Sequence, residues 1–316
     1  MAYEKTAGFF ESANGIDRVA YYIYTPKETP WAILQLSHGM CEYIQRYEQV
    51  PFLDVLTGAG VLVCGNDHLG HGSTAPTRED LGYFDQKDGW RTLPEDLHRM
   101  TALIRGRYPG LPLFLLGHSM GSFAARAYLS RYGEELTGAI LVGTSGGQPL
   151  AGVGMALARL IGVCKGERYR SRLINGMAFG LYNRRYKTRR SSFDWLTREN
   201  EVVDRYVKDP YCHFLFTING FYNLFHLLKT VSGKDWAESV PKDLPILLLS
   251  GDMDPVGQFG KGVEKVARRL REAGVRQVSC KLYKDARHEI INETNRDEVY
   301  RDLLQFLKAK GKGETV

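Results

Sequence analysis

Short apolar runs alternate along this chain with stretches in which apolar residues recur every three or four positions. The runs are Ala32–Leu36, Val61–Gly65, Leu113–Leu116, Ala139–Val142, Ile246–Leu249 and Val278–Tyr283. A short run that is apolar throughout reads as a strand buried on both faces. Helical periodicity marks about Arg46–Thr57, Glu95–Arg107, Ser122–Tyr132, Lys261–Ala273 and Arg296–Lys308. Strands separated by helices predict a mainly parallel sheet with right-handed crossovers. Ahead of them, Gly8–Ser12 and the alternating Arg18–Tyr24 flank Asn14-Gly15, the signature of a hairpin.

The rhythm breaks between about Ser145 and Asp243, where helical periodicity, aromatics and basic residues replace strand signals. It resumes sharply at Leu244-Pro245-Ile246. This pattern predicts a core built from residues 1–144 and 244–316, interrupted by a helical insertion at 145–243. At 316 residues the chain can bury such a core.

Charge changes the picture little. The net charge is +6, and no basic run is interleaved with exposed aromatics, which argues against a nucleic-acid partner. Five dispersed cysteines point to reduced thiols in a cytoplasmic setting. The amino terminus lacks a signal-peptide pattern, and no apolar run reaches the roughly 20 residues that span a bilayer. The expectation is a soluble intracellular chain, with oligomeric state left open.

Candidate chemistry begins at Gly117-His118-Ser119-Met120-Gly121, set between an apolar run and a helical pattern. Strand, sharp turn and helix in that order make a nucleophile elbow, with Gly117 and Gly121 small enough for the tight turn. A serine hydroxyl needs a base, and the base needs an orienting acid. In the order serine, acid, histidine, the acid belongs after Ile246–Leu249, where Asp252 and Asp254 compete. Asp254 is favoured: it lies three residues past Gly251, with room to turn back, and Pro255 stiffens the turn. His288 is the only histidine downstream of Asp254 and follows the last strand.

A tetrahedral intermediate also needs hydrogen-bond donors for its oxyanion. The backbone N–H groups of Met120, after the nucleophile, and Met40, in the loop after the third strand, are the expected pair. His38 lies in that loop and either orders it or meets substrate. His118 is expected to be structural. His68 and His71 resemble metal-ligand spacing, but the surrounding glycines favour a shaped loop, and neither a metal nor an organic cofactor is called for.

Together these segments resemble the α/β-hydrolase superfamily, specifically its monoacylglycerol lipase and bacterial lysophospholipase-like branch. The matching residues are Ser37-His38-Gly39-Met40 with Glu42, Arg46 and Tyr47; Asp67–Ser73; Gly117–Gly121; Gly251–Val256; and Ala286–Ile290. The resemblance implies an eight-stranded, mostly parallel sheet with helices on both faces and a helical cap. It also implies Ser119, Asp254 and His288 as catalytic residues, with Met40 and Met120 as oxyanion donors. Tyr43 departs from the pattern, since many relatives carry histidine there. Phe193–Arg198 and Tyr206–Pro210 are similar to the cap of the lysophospholipase-like members.

A cap over a serine site needs an apolar inner face to hold a fatty chain. Phe214, Phe221 and Phe225 are candidate substrate contacts, although this aromatic stretch also suits plain cap core. Val153–Ile161 is a candidate lid helix that touches membranes or micelles transiently. The expected function is a serine carboxylic-ester hydrolase acting through an acyl-enzyme on monoacylglycerols, lysophospholipids or similar single-chain lipid esters. The alternatives are an aminopeptidase or amidase, and a noncatalytic binding protein on the same fold.

Overall fold

A computed structural model describes residues 3–85, 88–147, 151–186, 189–233 and 235–312. Residues 1–2, 86–87, 148–150, 187–188, 234 and 313–316 of the expected core and insertion therefore lie outside the described residues. In chain order the core begins β1 (Tyr3–Glu11), β2 (Arg18–Pro26), β3 (Ala32–Ser37), α1 (Phe52–Gly58), β4 (Val61–Asn66), α2 (Gly89–Arg107), β5 (Leu113–His118), α3 (Met120–Tyr132) and β6 (Gly138–Val142). Five helices follow: α4 (Ala151–Lys165), α5 (Arg172–Phe179), α6 (Asn200–Lys208), α7 (Ile218–Thr230) and α8 (Asp235–Glu238). The core then resumes with β7 (Ile246–Gly251), α9 (Lys261–Glu272), β8 (Val278–Tyr283) and α10 (Arg296–Gly311).

The eight strands form one sheet in the order β1-β2-β4-β3-β5-β6-β7-β8. The expected hairpin pairs β1 with β2 antiparallel, and β2 joins β4 antiparallel. All remaining pairs are parallel. Alternation along each central strand divides its side chains between two cores. Ile33, Leu113, Leu115, Leu141 and Leu248 face α2, α3 and α9. Leu34, Phe114, Leu116, Ile140 and Leu249 face α1 and α10. Period two with apolar residues on both sides is what a sheet sandwiched between helix layers requires.

One expected helix is broken. Arg46–Thr57 divides into a 3₁₀ turn, Ile44–Gln49, and α1, because Pro51 stands between them. Val50 is extended at φ −135°, ψ 161°, as steric clash with a following proline favours.

Strands β6 and β7 pair directly, with Ala139 opposite Ile246. Everything described between them is helix or loop; because the two strands run parallel, this segment leaves at the carboxyl end of β6 and re-enters at the opposite, amino end of β7. The carboxyl end of β6 lies at the same end of the sheet as the ends of β3, β5 and β7 and the loops that follow them.

Candidate active site

The turn at Ser119 is strained by design of its neighbours. Ser119 has φ 53° and ψ −119°, a conformation that costs a non-glycine residue of order 1–3 kcal/mol and needs firm support. Support comes from packing without side chains. A Cβ on Gly121 would lie 2.0 Å from the Ser37 carbonyl oxygen, and one on Gly117 would lie 2.5 Å from that of Gly121. The Ser119 N–H also donates to Val142 O at 2.9 Å. Helix α3 thus starts hard against the end of β3, with Ser119 partly exposed above it.

Asp254 and His288 come together from separate loops. His288 Nδ1 lies 3.0 Å from Asp254 Oδ1. The carboxylate is further held by the Ser250 hydroxyl at 3.0 Å and the Val256 N–H at 2.8 Å. A carboxylate on Nδ1 fixes the proton there and leaves Nε2 as the basic nitrogen. Asp252, the competitor, makes no contact with the imidazole; its N–H donates to Tyr283 O at 3.1 Å. Ser119 and His288 line one cavity, but no hydrogen bond joins their side chains in this structure. Such bonds are often long before substrate binds.

Met40 and Met120 line that same cavity. Among the described residues, neither N–H is taken up by a loop or turn hydrogen bond. Met120 is also the first residue of α3, where helix dipole and free N–H groups favour negative charge.

Two of the expected substrate contacts do not line the cavity. His38 is fully buried, with Nδ1 on Gly39 O at 2.8 Å and Nε2 accepting from the His68 N–H at 2.9 Å. Burial holds its pKa down to about 4, so it is a neutral strut of the loop. Phe221 is likewise fully buried, stacked behind Phe225 at 5.9 Å. Phe214 and Phe225 do line the wall. His68 and His71 are committed inside the fold, to Ser37 Oγ at 2.9 Å and Leu69 O at 2.9 Å.

The cavity has a volume of about 590 Å³ and runs from Ser119 beneath α4, α5 and α7. Its wall is mostly apolar, with Phe123, Leu157, Met177, Leu224 and Leu228 among the residues that form it. Trp195 was not singled out from sequence, yet its ring centre lies 5.1 Å from that of His288. Backbone bonds tie the same segment to the histidine loop: His288 N–H to Trp195 O at 3.4 Å and Glu289 N–H to Leu196 O at 2.7 Å. The Phe193–Arg198 segment resembles the cap of the lysophospholipase-like members, but nothing in it marks Trp195 as a neighbour of His288. Glu42 and Glu289 also face the cavity, each in contact with Arg46.

Comparison with known proteins accords with this geometry. A family model described as "Serine aminopeptidase, S33" matches residues 28–295. The chain belongs to that α/β-hydrolase family. This hydrolase is 26% identical over 308 residues to the monoacylglycerol lipase of Mycolicibacterium smegmatis, covering 94% of this chain and 95% of that protein. The monoglyceride lipase of Mus musculus is 29% identical over 274 residues, 85% of this chain and 79% of that one. A thermostable carboxyl esterase from Bacillus coagulans, solved in complex with glycerol, matches with a TM-score of 0.89 at 35% identity. That match covers 98% of this hydrolase and 99% of the esterase. Among the described residues, no helix of this hydrolase is long and apolar enough to cross a membrane.

Proposed function

We propose that this hydrolase cleaves single-chain lipid esters, monoacylglycerols and lysophospholipids being the substrate class, through an acyl-Ser119 intermediate. The observation that carries the reading is the cavity itself: one apolar chamber of about 590 Å³ holds Ser119, His288, Met40 and Met120 on its wall. Ser119 Oγ attacks the ester carbonyl carbon while His288 Nε2 takes its proton. Negative charge collects on the carbonyl oxygen, facing the Met40 and Met120 N–H groups. Collapse expels the alcohol, which receives the proton from His288, and water then releases the acid by the same steps. Asp254 holds the imidazole and offsets its positive charge.

In this reading residues 145–243 are a cap over a core of 1–144 and 244–316. Helices α4 and α5 also expose Val153, Leu160, Val163 and Leu173, none of which lines the cavity. Arg159, Lys165 and Arg172 lie in the same helices and are exposed. An apolar face ringed by cations suits transient contact with an anionic lipid surface, from which a fatty chain could pass to the cavity. Vesicle flotation with and without phosphatidylglycerol tests this: Leu160→Ser with Val163→Ser should weaken binding, and unchanged binding would reject it.

The family description favours peptide bonds as a second reading. An aminopeptidase needs free carboxylates for the substrate ammonium. Among the described residues, the carboxylates on the cavity wall are Glu42 and Glu289, and both are paired with Arg46. Three further carboxylates of the 145–243 segment, Glu199, Glu201 and Asp204, pair with Arg296, Arg205 and Arg190 and do not line the cavity. Ester chemistry is therefore preferred. Fluorophosphonate labelling should occur and be lost in Ser119→Ala, and nitrophenyl esters should be turned over far faster than aminoacyl anilides. An inert Ser119 in folded protein would leave only a binding role.

A further inference from the structure

Glu42 is a buried carboxylate that the acyl-transfer steps do not use. Its Oε1 accepts the Gly39 N–H at 2.5 Å and faces His118 Nδ1 at 2.7 Å. Its Oε2 accepts from Arg46 Nη1 at 3.1 Å. Arg46 in turn grips Glu289 with two bonds, at 2.6 and 2.7 Å. All four side chains are nearly inaccessible, at 4–7% exposure. A glycine is needed at 39, because a Cβ there would lie 2.6 Å from Glu42 Oε1 and 3.2 Å from Ser119 Cβ.

One oxygen therefore holds two separate backbone segments. Gly39 precedes Met40 by one residue, and His118 precedes Met120 by two. These are the two segments that supply the oxyanion donors in the reading above. We propose that Glu42 is a positioning residue that sets the separation of the Met40 and Met120 N–H groups, and through Arg46 and Glu289 ties both to the His288 loop.

Charge balance fits this role. Glu42, Glu289 and Arg46 alone leave one negative charge in a buried cluster, and a proton on His118 cancels it. The Glu42 carboxylate does raise the His118 pKa, against the desolvation that opposes it. The cluster then carries no net charge, and the bonds that join Glu42, His118, Arg46 and Glu289 make a brace that holds the donors in place before substrate arrives, although His118 Nε2 itself has no partner.

The inference rests on the serine-esterase reading, and its test separates the two. Kinetics of Glu42→Gln and Glu42→Asp on a nitrophenyl ester would be measured beside two ligands. One is an alkyl trifluoromethyl ketone, which forms a tetrahedral oxyanion on Ser119; the other is an alkyl alcohol, which only fills the cavity. Glu42→Gln should lower kcat by about 10–100-fold, part of what loss of a whole donor costs. KM and alcohol affinity should stay near wild type while ketone affinity falls in step with kcat. Glu42→Asp should recover part of both, and it serves as the test if Glu42→Gln does not fold. Wild-type kcat in a folded variant overturns the proposal, as does parallel loss of ketone and alcohol binding. Either result leaves fluorophosphonate labelling of Ser119, and hence the esterase reading, standing.

Discussion

His288 Nδ1 meets Asp254 Oδ1 at 3.0 Å, although the two residues lie on different loops at the end of the sheet. Ser250 and Val256 occupy the rest of the carboxylate, so the acid cannot swing away. Asp254→Asn would keep the shape but present an amide that stabilises the wrong imidazole tautomer. We expect kcat to fall by about 10³–10⁴-fold with little change in KM. Asp252→Asn should leave kcat near wild type, since Asp252 does not reach the imidazole. Comparable losses in both variants would reject Asp254 as the acid.

Leu157 of α4 forms part of the cavity wall and has no polar role. Leu157→Trp would fill space that a long acyl chain needs and leave the Ser119 end open. Hydrolysis of dodecanoyl and longer esters should drop by about tenfold or more, equivalent to ~1.4 kcal/mol or more of lost binding. Butyryl esters should be cut at the wild-type rate. Equal losses across the nitrophenyl ester series would show that the chain does not lie under α4.

Legibility from sequence tracked how local each feature is. The central strands, the elbow and the order Ser119, Asp254, His288 follow from runs and motifs, which short-range sterics impose. Pro51 was visible too, yet the apolar spacing around it suggested one helix where two pieces form. The cavity wall was harder. Phe221 and Phe225 differ by one helical turn, and only the packing of α7 decides that Phe225 reaches the chamber while Phe221 backs it. Trp195 and Glu42 depend on contacts between distant segments. His118 and Glu42 are 76 residues apart, and neither carries a mark of the other.

The loop histidines predict an acid-sensitive fold. Burial lowers His71 from an ordinary value of 6.5 to about 3, with His38 nearby adding to the effect. A folded pKa below the unfolded one means that the unfolded chain takes up the proton. Stability from a neutral His71 is therefore complete above pH 6.5 and is lost as pH falls toward 3. Asp67, pushed up to about 6, and Asp96, pushed up to about 7, act in the opposite sense. The comparison of wild type with His71→Asn removes their contribution. Between pH 6 and 4 the variant's unfolding free energy should vary less steeply with pH, by up to about 1.4 kcal/mol per pH unit. Denaturant melts across that range give the slopes, and parallel curves would contradict the assignment.

Arg126 joins the core to both ends of the 145–243 segment. It is fully buried on α3, lies 4.3 Å over the Trp236 ring, and donates to Ser145 O at 2.8 Å and to Val231 O. Among the described residues no carboxylate pairs with it, and desolvation lowers its pKa to about 9. Arg126→Met would relieve that desolvation while orphaning two buried carbonyls at about 1–3 kcal/mol each. The second effect should win, for a net loss of about 2 kcal/mol. The loss should concentrate where the clamp acts. Limited proteolysis should cut within 145–243 before the core is touched, and long-chain ester hydrolysis should fall before short-chain. Arg126→Lys, which can reach only one carbonyl at a time, should lie between wild type and Arg126→Met. A variant whose thermal midpoint drops while residues 145–243 stay as protease-resistant as the core would show that Arg126 stabilises the whole fold and clamps nothing.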